Sequence, residues 1–266
     1  MKKGEFRWGR LDNAAKIFPS TTFRQDTKVF RFACELYEPV ELAFLQRALE
    51  QTVELFPFYR CTLHRGVFWY FFCESDQPII ASVEKMPPCS ALYHPDRHDL
   101  LFSVTYYGCR INLEVYHAIA DGTGALAFLK MLVYYYLIAK HPKLQELSID
   151  MNYDTSLFER MDDSFSRYYS GKQKYPKQHT SCAYHLSGRK CPEGRDSIIE
   201  GVLSVQQVLA KAHEAQTTMS IFLCSVLFQA IFQQMPVHAL RKPVTLVVPV
   251  NLRNYFPSKS ARNFFL

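Results

Sequence analysis

Long apolar runs are missing from this sequence. None reaches the roughly 18 residues of a membrane-spanning helix, because Lys130 and Lys140 bracket the longest candidate, so no membrane span is expected. Long basic blocks are missing too. A formal charge of +6 without a Lys/Arg cluster gives no indication of nucleic-acid binding. The eight cysteines, at positions 34, 61, 73, 89, 109, 182, 191 and 224, form no C-x-x-C pair, which argues against a zinc site. The start, MKKGEFRWGR, has two early lysines but lacks the apolar stretch of a signal peptide, so free thiols in a reducing cytoplasm are expected. The sequence has no G-x-S-x-G elbow, no G-x-G-x-x-G and no Walker loop, which leaves a serine hydrolase or a nucleotide enzyme without support. Glycine is scarce, at ten residues against fourteen prolines, as in ordinary globular proteins. What the chain does have is 48% hydrophobic residues over 266 positions, enough to bury a substantial core in one or two domains.

The informative stretch is EVYHAIADGTGALAFLK, Glu114 to Lys130, which sets His117, Asp121 and Gly122 in an H-x-x-x-D-G arrangement. Ile111 to Tyr116 alternates apolar and polar residues as a half-buried strand does, so His117 sits where a strand ends. Gly122, Thr123 and Gly124 suit a sharp turn, and Thr123 can cap the helix that follows. That helix runs through Leu126, Leu129, Leu132, Val133 and Tyr136 to about Lys140, where Pro142 stops it. A neutral imidazole at such a strand end suits a general base, its ordinary pKa of about 6.5 lying near the working pH. Asp121, four residues on, reads as an anchor for the loop through an arginine, since a buried carboxylate needs such a partner. On spacing alone, His117 could equally be a satisfied polar residue at a strand end.

The rest of the chain reads as support. The arm through Ser20 has no clear period, and Asp12 and Asn13 receive no chemistry. Val29 to Tyr37 alternates as a strand, and an amphipathic helix opens at Pro39 and runs to about Val53. Arg60 to His64 and Val67 to Cys73 flank Arg65-Gly66 as a hairpin, the second strand so aromatic that it should be interior. His94, Asp96, His98 and Asp99 imitate a metal cluster but crowd one loop, and read as a polar lead into a strand at Leu101 to Tyr107. That strand pairs with Ile111 to Tyr116 through Gly108-Cys109-Arg110. Lys143 to Arg195 is a polar crossover with a short helix around Ser156 to Tyr169; its basic part, Arg167 to Lys177, reads as solvated linker rather than phosphate site. Ser197 to Leu203 should be a strand and Ser204 should start a helix to about Gln216. Thr218 opens a helix apolar nearly all round, which should be buried, and Val244 to Pro249 should be a buried strand.

The stretch YHAIADGTGA resembles the H-x-x-x-D-G signature of the superfamily that holds chloramphenicol acetyltransferase, the plant BAHD enzymes, alcohol acetyltransferases and condensation domains. Three further segments are similar to the bacterial alcohol acetyltransferase-like branch: RLDNAAKIFPS at Arg10 to Ser20, LFPFYRCTLHRGVFWYFFCE at Leu55 to Glu74, and VVPVNLRNYFPSKSARNFF at Val247 to Phe265. Condensation domains carry a second histidine just before the catalytic one. Here that position is Tyr116, which argues against peptide-bond synthesis on carrier proteins.

The resemblance implies an α/β, chloramphenicol acetyltransferase-like two-layer mixed sheet with helices. The division it implies is an N-terminal half at 1–145, a crossover linker at 146–196 and the beginning of a C-terminal half at 197–266, with the remainder of that half and the plant D-F-G-W-G motif absent from the sequence. The implied activity is acyl-CoA-dependent O- or N-acyl transfer, acetyl transfer above all, to a small-molecule alcohol or amine. His117 would be the base, Asp121 and Gly122 would support its loop, and Arg253 would be the partner of Asp121. Acetyl-CoA or another acyl-CoA would be the co-substrate, with no metal. The alternative is a non-catalytic or partner-dependent binding module derived from the same fold.

Overall fold

The computed structural model describes residues 8–146, 156–169, 171, 181–188 and 198–266. These group into two compact units. One holds the described residues between 8 and 169 together with 250–266, and the other holds those between 171 and 249. The C-terminal residues 250–266 thus pack with the first part of the chain, where the sequence division had set them in a later half.

The first unit is α/β, with two sheets and helices. One sheet has three antiparallel strands, β1 (Trp8–Arg10), β3 (Cys61–Arg65) and β4 (Tyr70–Glu74), in the order β1-β4-β3. The other has the order β2-β7-β6-β5, from β2 (Val29–Glu35), β5 (Ser82–Val83), β6 (Phe102–Tyr107) and β7 (Arg110–Tyr116). Its β2-β7 and β6-β7 pairs are antiparallel and β5-β6 is parallel. Gly108, at φ +56°, makes the tight β6-β7 turn that lets Tyr107 face Arg110. Between β1 and β2 lies the short helix α1 (Phe18–Thr21), with Pro19 in its first turn.

Strand β7 is central, so it is buried along its length rather than half-buried. Its polar residues are covered as well. Glu114 accepts from Nε and Nη2 of Arg31 at 3.0 and 2.7 Å and from the Cys89 N–H at 2.7 Å. Asn112 and Arg110 reach Glu84, whose carboxyl is held below its ordinary pKa because, against burial, the hydrogen bonds and charges of Arg31 and then Arg110 win. On the core side, Ile111, Leu113 and Val115 join Leu45, Leu49, Phe128 and Leu132 from helices α2 (Leu42–Leu55) and α3 (Gly122–Lys140), which pack against each other. Helix α3 is long and apolar enough to cross a bilayer by length and composition, despite its lysines. Here Phe128, Leu132 and Tyr136 place it in the core.

The β3-β4 hairpin turns later than the sequence implied. Arg65 pairs with Tyr70, leaving Gly66 to Trp69 as the loop, closed by the Gly66 N–H on the Trp69 carbonyl at 2.7 Å. Val67, Phe68 and Trp69 are therefore exposed and not interior, since a hairpin tip has no sheet to pack on. After α3, two short helices α4 (Leu157–Met161) and α5 (Ser164–Tyr168) stand where one was expected, broken at Asp162 and Asp163; Asp163 caps the second. Most of the linker at 146–196 and of the basic stretch Arg167 to Lys177 lies outside the described residues.

In the second unit, Ser204 caps α6 (Val205–Glu214) and Thr218 caps α7 (Met219–Gln234). No residue of α7 is buried, although it is apolar on every side. Residues 198–203 and 244–249 form no strand. A strand needs a neighbour for its N–H and C=O groups. None of the described residues supplies a ladder to these two segments, and Val247 and Val248 are exposed.

Candidate active site

The β7 strand ends at Tyr116, and the next residue leaves the sheet. The His117 N–H donates to the Lys28 carbonyl at 2.9 Å, and the Ile119 N–H to the Tyr116 carbonyl at 3.0 Å, which fixes the turn. The His117 ring is packed among aromatic rings. It stacks on Phe18 at 4.4 Å between centroids, and Phe30 and Phe265 lie at 5.0 and 5.5 Å. This surrounding carries the main electrostatic consequence. Burial holds the imidazole below its ordinary pKa, while hydrogen bonds to its own main-chain carbonyl and to Asn263, and the charge of Asp121, pull the other way. At neutral pH the ring is therefore uncharged, the form a proton acceptor must have.

Asp121, not Thr123, caps α3. Its Oδ1 accepts from the Gly124 N–H at 3.0 Å. Its Oδ2 accepts from the Phe264 N–H at 2.9 Å and from Nη1 of Arg253 at 2.7 Å. The guanidinium in turn donates through Nη2 to the carbonyls of Ser260 at 2.9 Å and Arg262 at 2.6 Å. One buried ion pair thus ties the start of α3 to the loop at 251–264, which carries Asn263 to the histidine. Gly122 opens α3 without a left-handed backbone, and a Cβ there would meet only the Phe32 ring, at 3.7 Å. The turn does not call for glycine at that position. The demanding one is Gly124, where a Cβ would fall 1.9 Å from the Ala261 carbonyl oxygen.

Two residues that received no role from the sequence are joined to His117, Asn263 directly and Asp12 through Asn263. Asn263 places Oδ1 at 3.2 Å from His117 Nδ1, and its Nδ2 donates to the Ala118 carbonyl at 3.3 Å and to Asp12 Oδ2 at 3.4 Å. Asp12 is fully buried. Its carboxyl is pushed up to about 6 by burial, against the pull of Arg262, the Ala15 N–H and Asn263. Both sit in segments, RLDNAAKIFPS and SARNFF, that were already singled out by resemblance, and that was the one signal that pointed to them. Tyr116, at the position of the second histidine, is fully buried, shares a 2.8 Å hydrogen bond with Thr22 and stacks on Tyr93.

The solved structures that this chain resembles include condensation domains. One is the starter condensation domain of rhizomide synthetase RzmA, at 14% identity and a TM-score of 0.42, with 57% of this chain and 45% of that chain covered. A variant of the same domain, solved in complex with C8-CoA, matches at 11% identity and a TM-score of 0.42, over 49% of this chain and 36% of that one. A third is polyketide synthase associated protein 5 from Mycobacterium tuberculosis, at 17% identity and a TM-score of 0.39, over 49% of this chain and 33% of that one. The chain thus spans a third to a half of the length of these structures. No family model matches the chain, and no curated protein matches it.

The loop bearing His94, Asp96, His98 and Asp99 stands apart from this site. His98 stacks on His64 at 3.8 Å, and His94 Nδ1 lies 3.7 Å from Asp99. Among the described residues no group of three or more His, Cys, Asp or Glu side chains is placed to hold a metal ion.

Proposed function

We propose that the protein is an acyltransferase in which His117 acts as general base, moving an acyl group from acyl-CoA, acetyl-CoA above all, to a small-molecule alcohol or amine. The observation that carries this reading is the histidine itself: an uncharged imidazole at a strand exit, packed among aromatic rings, with Nδ1 committed to Asn263 and no hydrogen bond to Nε2 among the described residues. The acceptor O–H or N–H gives its proton to the ring as its heteroatom bonds to the thioester carbonyl. The C–S bond then breaks, the proton passes from imidazolium to the leaving thiolate, and the products are the ester or amide and free CoA. Holding both substrates together supplies much of the rate, and proton transfer a further ~10²- to 10⁴-fold. Asp121 and Arg253 keep the loop in place, and no metal has a part. The free thiols of Cys34, Cys61, Cys73, Cys89, Cys109, Cys182 and Cys224 suit a reducing cytoplasm.

The test follows release of the CoA thiol from acetyl-CoA and medium-chain acyl-CoA with a panel of alcohols and amines. His117→Ala is expected to lower the acceptor-dependent rate by at least ~10²-fold while the protein stays folded, as its circular dichroism would report. A His117→Ala protein with the wild-type rate removes the base from the proposal.

A partner-dependent version of the same reading is favoured by the exposed apolar side chains of α7 and the unpaired segment at 244–249. In that version turnover needs a second copy of the chain to cover them. The assay at increasing protein concentration distinguishes the two, because only the partner-dependent form gains specific activity.

A further inference from the structure

An amide side chain has one face that accepts and one that donates, and its surroundings decide which way it points. Asn263 is surrounded unambiguously. Its nitrogen faces the Ala118 carbonyl at 3.3 Å and Asp12 Oδ2 at 3.4 Å. A main-chain carbonyl accepts only, and so does an ionised carboxylate. The amide oxygen must then face His117 Nδ1, 3.2 Å away. An acceptor oxygen at that distance demands a hydrogen on Nδ1. The neutral ring therefore keeps its lone pair on Nε2.

Asp12 is itself fixed. Its Oδ1 accepts from the Ala15 N–H at 2.8 Å, and Arg262 Nη2 lies 3.6 Å from its Oδ2. That same Nη2 donates to the Arg10 carbonyl at 2.7 Å, and the guanidinium rests on the Phe58 ring at 4.8 Å. The charged groups that act on Asp12 are Arg262 and, with the opposite sign, Asp163. The chain Arg262, Asp12, Asn263, His117 thus joins four side chains whose residue numbers span 251 positions, all in the first unit.

We propose that Asp12 and Asn263 are positioning residues that lock His117 in its Nδ1–H tautomer, so that Nε2 is the atom that takes the acceptor's proton. The inference rests on His117 being the base, but its readout does not need turnover. The full chain, labelled with ¹⁵N-histidine, reports the tautomer directly through the two ring-nitrogen shifts, with His117 assigned by the resonance lost in His117→Gln. Wild type is expected in the Nδ1–H form. In Asp12→Asn the new amide oxygen is claimed by the Ala15 N–H, so its NH₂ group opposes that of Asn263, and only the Ala118 carbonyl is left to hold the amide's orientation. The population is expected to shift part of the way towards Nε2–H, and kcat to fall about 10-fold or more with little change in KM. Asn263→Leu, with neither donor nor acceptor, is expected to give a mixture of the two tautomers and a smaller loss.

Wild type in the Nε2–H form overturns the proposal, and needs no variant to fold. So does the wild-type tautomer in both variants. If the tautomer moves as expected while His117→Ala stays active, the positioning chain stands and the base reading falls. If the tautomer does not move while His117→Ala is inactive, only the positioning chain falls.

Discussion

Gly124→Ala is expected to destabilise the protein by about 3 kcal/mol or more, although alanine is the better helix former by ~1 kcal/mol. The added Cβ would stand 1.9 Å from the Ala261 carbonyl oxygen and 2.7 Å from its carbon, both main-chain atoms with no side-chain freedom to yield. Either the start of α3 or the segment at 260–264 must shift, and the second carries Asn263 and Phe264. The variant is expected to lose acyl transfer as well as several degrees of melting temperature. Gly122→Ala is the control, because its Cβ meets only the Phe32 ring at ordinary contact distance, 3.7 Å. The two midpoints of denaturant unfolding, measured side by side, check this: a Gly124→Ala midpoint equal to that of Gly122→Ala contradicts the close approach.

The second large effect is Asp121→Ala, expected to cost about 3 to 5 kcal/mol. The carboxylate is buried and accepts three hydrogen bonds, from the Gly124 N–H, the Phe264 N–H and Arg253 Nη1. Its removal leaves a buried guanidinium without its counter-charge, two main-chain N–H groups without acceptors and α3 without its cap. Arg253→Ala is expected to cost less, because Asp121 then still holds both N–H groups and the vacated carbonyls of Ser260 and Arg262 can take water. Arg253→Lys should not restore the wild-type midpoint, since one ammonium cannot span the carboxylate and both carbonyls. Denaturant midpoints for the two single variants and the double variant check the ordering; an Arg253→Ala protein less stable than Asp121→Ala contradicts it.

Much of the frame was legible because it is written in local spacing. The apolar positions from Leu126 to Tyr136, followed by Pro142, mark α3, and the structure runs it from Gly122 to Lys140. The need of a buried carboxylate for a cation pointed to an arginine and the resemblance to Arg253, and the two side chains sit 2.7 Å apart across 132 positions of sequence. The polar residues joined to His117 were not legible. Asp12 looked like an ordinary residue of an N-terminal arm, because its partner Asn263 lies 251 positions away and no local pattern announces a contact of that range. The aromatic run from Phe68 to Phe72 misled in the opposite direction. Hydrophobicity suggests burial, but the turn chemistry at Gly66 set Val67, Phe68 and Trp69 on a hairpin tip. The segment at 244–249 reads as a strand by residue type, yet a strand exists only with a partner, and partners are invisible to a one-dimensional pattern.

The most direct test of the central claim is the pH dependence of kcat/KM for acyl transfer from acetyl-CoA, in wild type and in His117→Ala. In the wild type the rate should fall on the acid side as His117 takes up a proton. The midpoint should lie below the ordinary histidine value of about 6.5, because burial among Phe18, Phe30 and Phe265 disfavours the charged ring. Protonation removes the lone pair, so activity is present above that midpoint and lost below it. In His117→Ala the residual rate should be flat through this range. An acid limb that persists unchanged in His117→Ala contradicts the account, because the proton would then be going somewhere other than His117.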